Sequence, residues 1–240
     1  MANEYAVNQA DLVAVADAIR NKGGTSAPLA FPGGFVDAVG AIQAGSGGNT
    51  VAALWNRTIE HFEDDSIVEI LQRSCFEGCT KLKSISMKNL KTINNQYFAN
   101  RCTSLTELDL PNVQTFTATW GFQDCTALEV VNLPKATSIP TECFSRSTSL
   151  KLVRGPYGII SNNAFNNCSN LKTLVLTNTK VCSINNINAF VGTPFASGGT
   201  GGTVYVPAAL IESYKTATNW STLYAAGTCN FVAIEGSEYE

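Results

Sequence analysis

Apolar residues along this chain follow a long-period pattern that one helical or strand rhythm does not describe. Phe76, Cys79, Leu82, Ile85 and Met87 set a spacing that returns as Phe122, Cys125, Leu128, Val131 and Leu133. A third copy reads Phe98, Cys102, Leu105, Leu108 and Leu110, with one extra residue before the cysteine. Phe144, Ser147, Leu150 and Val153, closed by Gly155, make a fourth, and Phe165, Cys168, Leu171, Leu174 and Leu176 a fifth. The leading leucines at 82, 105, 128, 150 and 171 are spaced by 23, 23, 22 and 21 residues. A period of that size belongs to stacked-coil architectures, in which no single unit can bury its own apolar face.

After each leucine, apolar and polar residues alternate, as in Leu108-Asp109-Leu110 and Val131-Asn132-Leu133, so each copy supplies one half-buried strand. Proline breaks the strand at Pro111, Pro134 and Pro156. A second apolar site at Ile93, Ile139 and Ile160 then leads back toward the next phenylalanine. Stacking places like residues on like and forms one continuous core. Each fully buried side chain contributes roughly 1.5 to 3 kcal/mol, enough to override weak local propensity in the Ser/Thr/Asn-rich connections.

From about Ile67 to Phe190 these motifs resemble the BspA-type leucine-rich repeats of surface and phage-associated proteins of gut bacteria. The departures are the extra residue before Cys102, the longer approach from Phe116 to Phe122, and Ser147 at a cysteine position. The resemblance implies a mainly β solenoid over residues 51–197, its first coil acting as an amino-terminal cap. Gly198 to Gly202 lead into Val204-Tyr205-Val206-Pro207, a strand followed by a helix through Tyr214 that, with Trp220, reads as a capping strand-helix over residues 198–240.

The amino-terminal flank differs. Leu12, Val13, Val15, Ala16 and Ile19 have helical spacing ended by Gly23-Gly24, and a short second helix is expected after Phe31-Pro32-Gly33-Gly34. Residues 1–44 therefore read as a helical module, and the Gly/Ser stretch at 45–50 as a linker. The string from Ala16 to Val39 resembles a module of tail-associated proteins of phages infecting Gram-positive gut bacteria.

Composition narrows the function. Only 15% of residues are charged and the net charge is -3, so no basic excess invites nucleic acid or an anionic membrane. No run of about eighteen apolar residues and no secretory leader is visible. The cysteines at 79, 102, 125 and 168 share one repeat position, where Ser147 replaces the fourth; that reads as a row of small buried apolar side chains, with an oxidised pair between neighbouring coils left open. His61 lies among Glu60, Asp64 and Asp65 and could be imagined as a base for Cys75 or Cys79, yet it reads as a surface residue of the first coil. No nucleophile elbow, phosphate loop, metal motif or cofactor fingerprint is present, so neither an enzyme nor a cofactor is expected.

What remains is surface. The outward strand positions Ser84, Ser86, Glu107, Asp109, Val130, Asn132, Leu152, Arg154, Thr173 and Val175 form two columns, the candidate binding face. Val130, Leu152 and Val175 favour binding over an idle surface. Tyr97, Trp120 and Tyr157 adjoin core positions and read as packing partly inward. The expected partner is a bacterial cell-surface protein or glycan, or other virion proteins, with oligomerisation possible through the amino-terminal helices. The resemblances imply a phage tail-associated or receptor-binding protein in the virion; an extracellular or bacterial-surface adhesin is the alternative.

Overall fold

A computed structural model describes residues 57–240, apart from Gln72. The chain divides into two compact units, 1–59 and 60–240, and the second is the one described below. The expected helical module and the linker at 45–50 lie outside the described residues.

Six coils carry a strand on one face: β1 (His61–Glu63), β3 (Ser84–Ser86), β5 (Glu107–Asp109), β7 (Val130–Asn132), β9 (Leu152–Gly155) and β11 (Thr173–Leu176). Each of these is followed by a two-residue strand at the next corner: β2 (Glu69–Ile70), β4 (Thr92–Ile93), β6 (Thr115–Phe116), β8 (Ser138–Ile139), β10 (Ile159–Ile160) and β12 (Ser183–Ile184). Successive coils, except those of β5 and β7, pair in parallel with like positions opposed, as in His61 with Ser84 and Ser84 with Glu107. Leu82, Leu105, Leu128, Leu150 and Leu171 each close the same local turn two residues before a strand, and all are fully buried. The corner apolar sites Ile93, Ile139 and Ile160 are buried as a second row.

The third side is built from turns rather than strands. Each of the first five coils places two residues in the left-handed region four positions apart: Ser74 and Gly78, Tyr97 and Arg101, Trp120 and Asp124, Glu142 and Arg146, Asn163 and Asn167. Non-glycine residues there cost about 1 kcal/mol or more each. Stacking supplies the compensation, because their N–H groups point at the following coil: Trp120 donates to the Thr141 carbonyl at 3.2 Å and Asp124 to Ser145 at 2.9 Å.

This turn ladder corrects one reading of the repeats. The residue hydrogen-bonded in line with Phe76, Phe122 and Phe144 is Ala99, not Phe98. The second copy therefore has no insertion; its phenylalanine has moved one place earlier. Its ring still reaches the aromatic row, 5.3 Å from Phe76 and 5.5 Å from Phe122, but approaches both edge-on at 86° and 76°. Phe122, Phe144, Phe165 and Phe190, on equivalent backbone, stack at 4° to 22°. At Gly155 a Cβ would lie 2.8 Å from the Leu133 carbonyl and strike the Tyr157 ring, so only glycine lets Tyr157 bury fully there.

The cysteine row is buried as expected, but it is not simply apolar. Cys102, Cys125 and Cys168 donate from Sγ to the carbonyls of Phe76, Ala99 and Phe144 in the preceding coil, at 3.0, 3.2 and 2.9 Å. Ser147 does the same to Phe122 at 2.9 Å. The position needs a small side chain with a donor, which explains the single exchange of serine for cysteine.

Beyond β11 the chain forms β13 (Gly202–Val206), a 3-10 turn at Ala208–Leu210, α1 (Ile211–Thr216), α2 (Trp220–Ala225) and β14 (Cys229–Ala233). β13 and β14 extend the β7-β9-β11 sheet. The helices seal the last coil by hydrogen bonding the edge of β12: Trp220 Nε1 donates to the Cys182 carbonyl at 2.6 Å, the Tyr214 hydroxyl accepts from Cys182 N–H at 2.8 Å, and Asn219 donates to Ile184 at 2.7 Å. A bare ladder edge would otherwise invite further pairing.

If the row position is a donor site, Cys125→Ser should unfold within about 1 kcal/mol of the native chain, whereas Cys125→Val, similar in size but branched and without a donor, should lose about 1 to 3 kcal/mol. Urea denaturation of both variants measures the difference. Equal losses would show that size alone matters.

Candidate functional site

Neither strand face nor corner ladder is continuous. β1, β3 and β5 form one sheet, while β7 begins the five-stranded sheet through β9, β11 and β13 to β14; the corner strands divide in the same way, between β6 and β8. On the turn side the same two coils remain joined through Trp120, Phe122 and Asp124. The break is thus confined to the strand-bearing sides, where β5 and β7 face each other without pairing.

A depression of about 410 Å³ lies over this break, lined by Ser84, Ser86, Thr106, Glu107, Asp109, Val130 and Asn132, with Ile85 and Leu108 at its base. That volume falls within the range of small-ligand sites. Leu108 occupies an inward position, yet it is only half-buried, while its counterparts Ile85, Val131, Val153 and Leu174 are fully enclosed. Val130 on the facing strand is 50% exposed.

Six of the ten outward residues read from the repeats therefore converge here: Ser84, Ser86, Glu107, Asp109, Val130 and Asn132. Leu152, Arg154 and Thr173 continue the columns across β9 and β11, half-buried. Val175 is a correction, since it is fully buried. Its register partner Tyr205 packs on Tyr239 at 4.6 Å, so residues near position 239 lie beside this part of the face. Repeat spacing carries no signal for a residue that folds back from position 239. Thr106 and Leu108 were also missed: the first precedes the strand, and the second is a core position that only the break uncovers.

Charge is arranged around the depression in a definite way. Lys83 pairs with Glu60 at 2.7 Å, and its ammonium holds the Glu60 carboxyl below the usual range; Lys151 pairs with Glu129 at 2.8 Å. Glu107 and Asp109 have no basic partner within ion-pair distance among the described residues. Asp109 accepts a hydrogen bond from Ser86 Oγ at 3.3 Å.

The other candidates go elsewhere. His61 Nδ1 lies 2.8 Å from Ser84 Oγ on the exposed face, and Cys79 is 1% exposed within the core row, so the imagined base and thiol are not assembled. Tyr97 and Trp120 are half-buried and stack on one another, 5.0 Å apart and 7° from parallel. Tyr157 is buried and donates to the Arg154 carbonyl at 2.9 Å. Burial pushes the thiols of Cys102, Cys168, Cys182 and Cys229 up to about 12, which suppresses the reactive thiolate. Among the described residues no group of three His, Cys, Asp or Glu side chains is placed to hold a metal ion, and no helix is long and apolar enough to cross a membrane.

A parallel-strand solenoid of 21- to 23-residue coils, with a phenylalanine row, a cysteine donor row and a leucine row, defines a leucine-rich-repeat protein. Residues 52–172, just over half of the chain, match the model of the BspA type leucine rich repeat region in six copies, and the chain belongs to that family. Proteins of this kind are generally non-enzymatic binding proteins. Similar solved structures include a leucine rich cell surface protein from Faecalibacterium prausnitzii A2-165, 26% identical with a TM-score of 0.49 over 58% of this chain and 37% of that one. A leucine-rich repeat protein from Bacteroides ovatus ATCC 8483 is 25% identical, with a TM-score of 0.38 over 53% and 42%. A leucine-rich repeat protein of T. pallidum is 20% identical, with a TM-score of 0.43 over 69% and 80%. This chain spans well under half the length of the first two. No curated protein matches it.

The buried thiols set a pH dependence. Their folded pKa of about 12 exceeds the ordinary value of 9.0, so above that value the unfolded chain releases protons that the folded chain retains. The stabilising difference is whole below pH 9 and is lost as pH rises toward 12, by up to about 1.4 kcal/mol per thiol per pH unit. The urea midpoint should accordingly fall between pH 8.5 and 9.5, and fall less in Cys168→Ser. A midpoint flat across that interval would contradict the burial.

Proposed function

We propose that the chain is a non-enzymatic binding protein whose recognition face is the strand side over β3, β5 and β7. The observation that carries this reading is the break between β5 and β7, which gathers six outward side chains, the exposed Val130 among them, around a depression and leaves Leu108 only half-buried beside them. An apolar pair set among hydroxyls, an amide and carboxylates is the composition of a contact site, whereas an idle strand face carries its apolar residues singly.

The finer assignment is to a phage tail-associated or receptor-binding protein that recognises a bacterial cell-surface protein or glycan, with its amino-terminal segment attaching it to other virion proteins. The resemblance of residues 16–39 supports it; that segment precedes the residues matched to the family. The repeat family itself supports a second reading, an adhesin at a bacterial surface. Mass spectrometry of purified phage particles separates them, since absence of the protein from particles removes the virion reading.

Fluorescently labelled protein should decorate intact Gram-positive gut bacteria, and Val130→Asp, at an exposed position, should reduce retention about tenfold or more without lowering the melting temperature. Equal decoration by the variant would place the contact elsewhere.

A further inference from the structure

We infer that the depression over β3, β5 and β7 takes an extended peptide segment bearing lysine or arginine at alternate positions. This deepens the reading of that face as a binding surface and rests on it. Two observations select the ligand. The first is charge: the neighbouring acidic residues Glu60 and Glu129 are already neutralised by Lys83 and Lys151, which leaves the carboxylates of Glu107 and Asp109 at the centre without a basic partner among the described residues. Arg154, one strand beyond Asn132, closes off the acidic stretch on the far side. The second is spacing: both carboxylates stand on β5 two residues apart, about 6.6 Å along the strand. Alternate side chains of an extended peptide repeat at the same distance, so one running along β5 sets two cationic heads over two carboxylates together. A single small cation suits this spacing poorly, since direct oxygen ligands sit about 2.0 to 2.6 Å from a divalent ion. The methyl groups of Val130 and the uncovered edge of Leu108 offer apolar contact for the lysine or arginine stems. The Asn132 amide faces the peptide backbone, and the hydroxyls of Ser84, Ser86 and Thr106, already engaged with His61, Asp109 and the Lys83 carbonyl, keep lone pairs that can accept from its N–H groups.

The probes are fluorescein-labelled hexapeptides read by anisotropy in low salt: Lys-Ser-Lys-Ser-Lys-Ser, its isomer Lys-Lys-Ser-Ser-Lys-Ser, in which no two lysines are two residues apart, and Glu-Ser-Glu-Ser-Glu-Ser. The alternating lysine peptide should bind most tightly and the glutamate peptide not at all. The double variant Glu107→Gln, Asp109→Asn should weaken the alternating peptide by about 3- to 30-fold. A charge-matched variant on other sides of the coil, Glu69→Gln with Glu77→Gln, should leave it within about twofold. Equal binding of the two lysine isomers, equal loss in both double variants, or no binding by the native chain overturns the inference. The same variants on cells keep the two readings apart. Loss of decoration in Val130→Asp alone, with the Glu107/Asp109 variant unaffected, sinks the cationic ligand and leaves the face standing; unaffected decoration in both sinks the face.

Discussion

Everything in this molecule depends on the hydrogen bonds between one coil and the next on the turn side. There the backbone of the first five coils turns through two left-handed residues each, a conformation that is costly for Tyr97, Trp120, Asp124, Glu142 and Arg146 taken singly. It persists because each such residue aims an N–H at a carbonyl of the following coil, and because the thiol or hydroxyl row reaches back to the preceding one. Local strain is thereby offset by neighbours, and a coil without neighbours has no reason to keep its shape.

The same dependence explains why the strand side can open without the solenoid coming apart. Between the coils of β5 and β7 the turn side stays hydrogen-bonded and the phenylalanine row stays in contact, with Phe98, Phe122 and Phe144 at 5.5 Å intervals. With the core held there, the strand ladder is free to part at one junction. The half-buried Leu108 beside the exposed Val130 is the consequence, and the pair lies next to the carboxylates of Glu107 and Asp109. The opening, the apolar patch and the charge thus follow from one structural event. At the other end of the face Val175 is buried beside Tyr205, on which Tyr239 packs, so the usable surface is shifted toward the amino-terminal half of the solenoid.

Repetition made most of the fold legible before any coordinates. The rows of Leu82, Leu105, Leu128, Leu150 and Leu171 and the corner residues Ile93, Ile139 and Ile160 were readable because burial at a fixed interval leaves an unambiguous apolar mark. The donor role of the cysteine row was half visible in Ser147, which is small like cysteine but polar, and the polarity was the informative part. The displaced Phe98 was misread as an insertion because sequence spacing counts rings, whereas the ladder counts backbone positions.

The amino-acid sequence alone determined the repeat length, the residues of the core rows, the parallel strands and the family. All of these depend on local composition repeated along the chain, which a period exposes. Tertiary structure alone decided where the ladder breaks, that Leu108 becomes partly accessible, that Val175 does not, and that among the described residues Glu107 and Asp109 lack the basic partners that Glu60 and Glu129 have. Those outcomes depend on the distance between coils and on a carboxyl-terminal segment returning over residues far from it in the chain, and neither is a property of any single repeat.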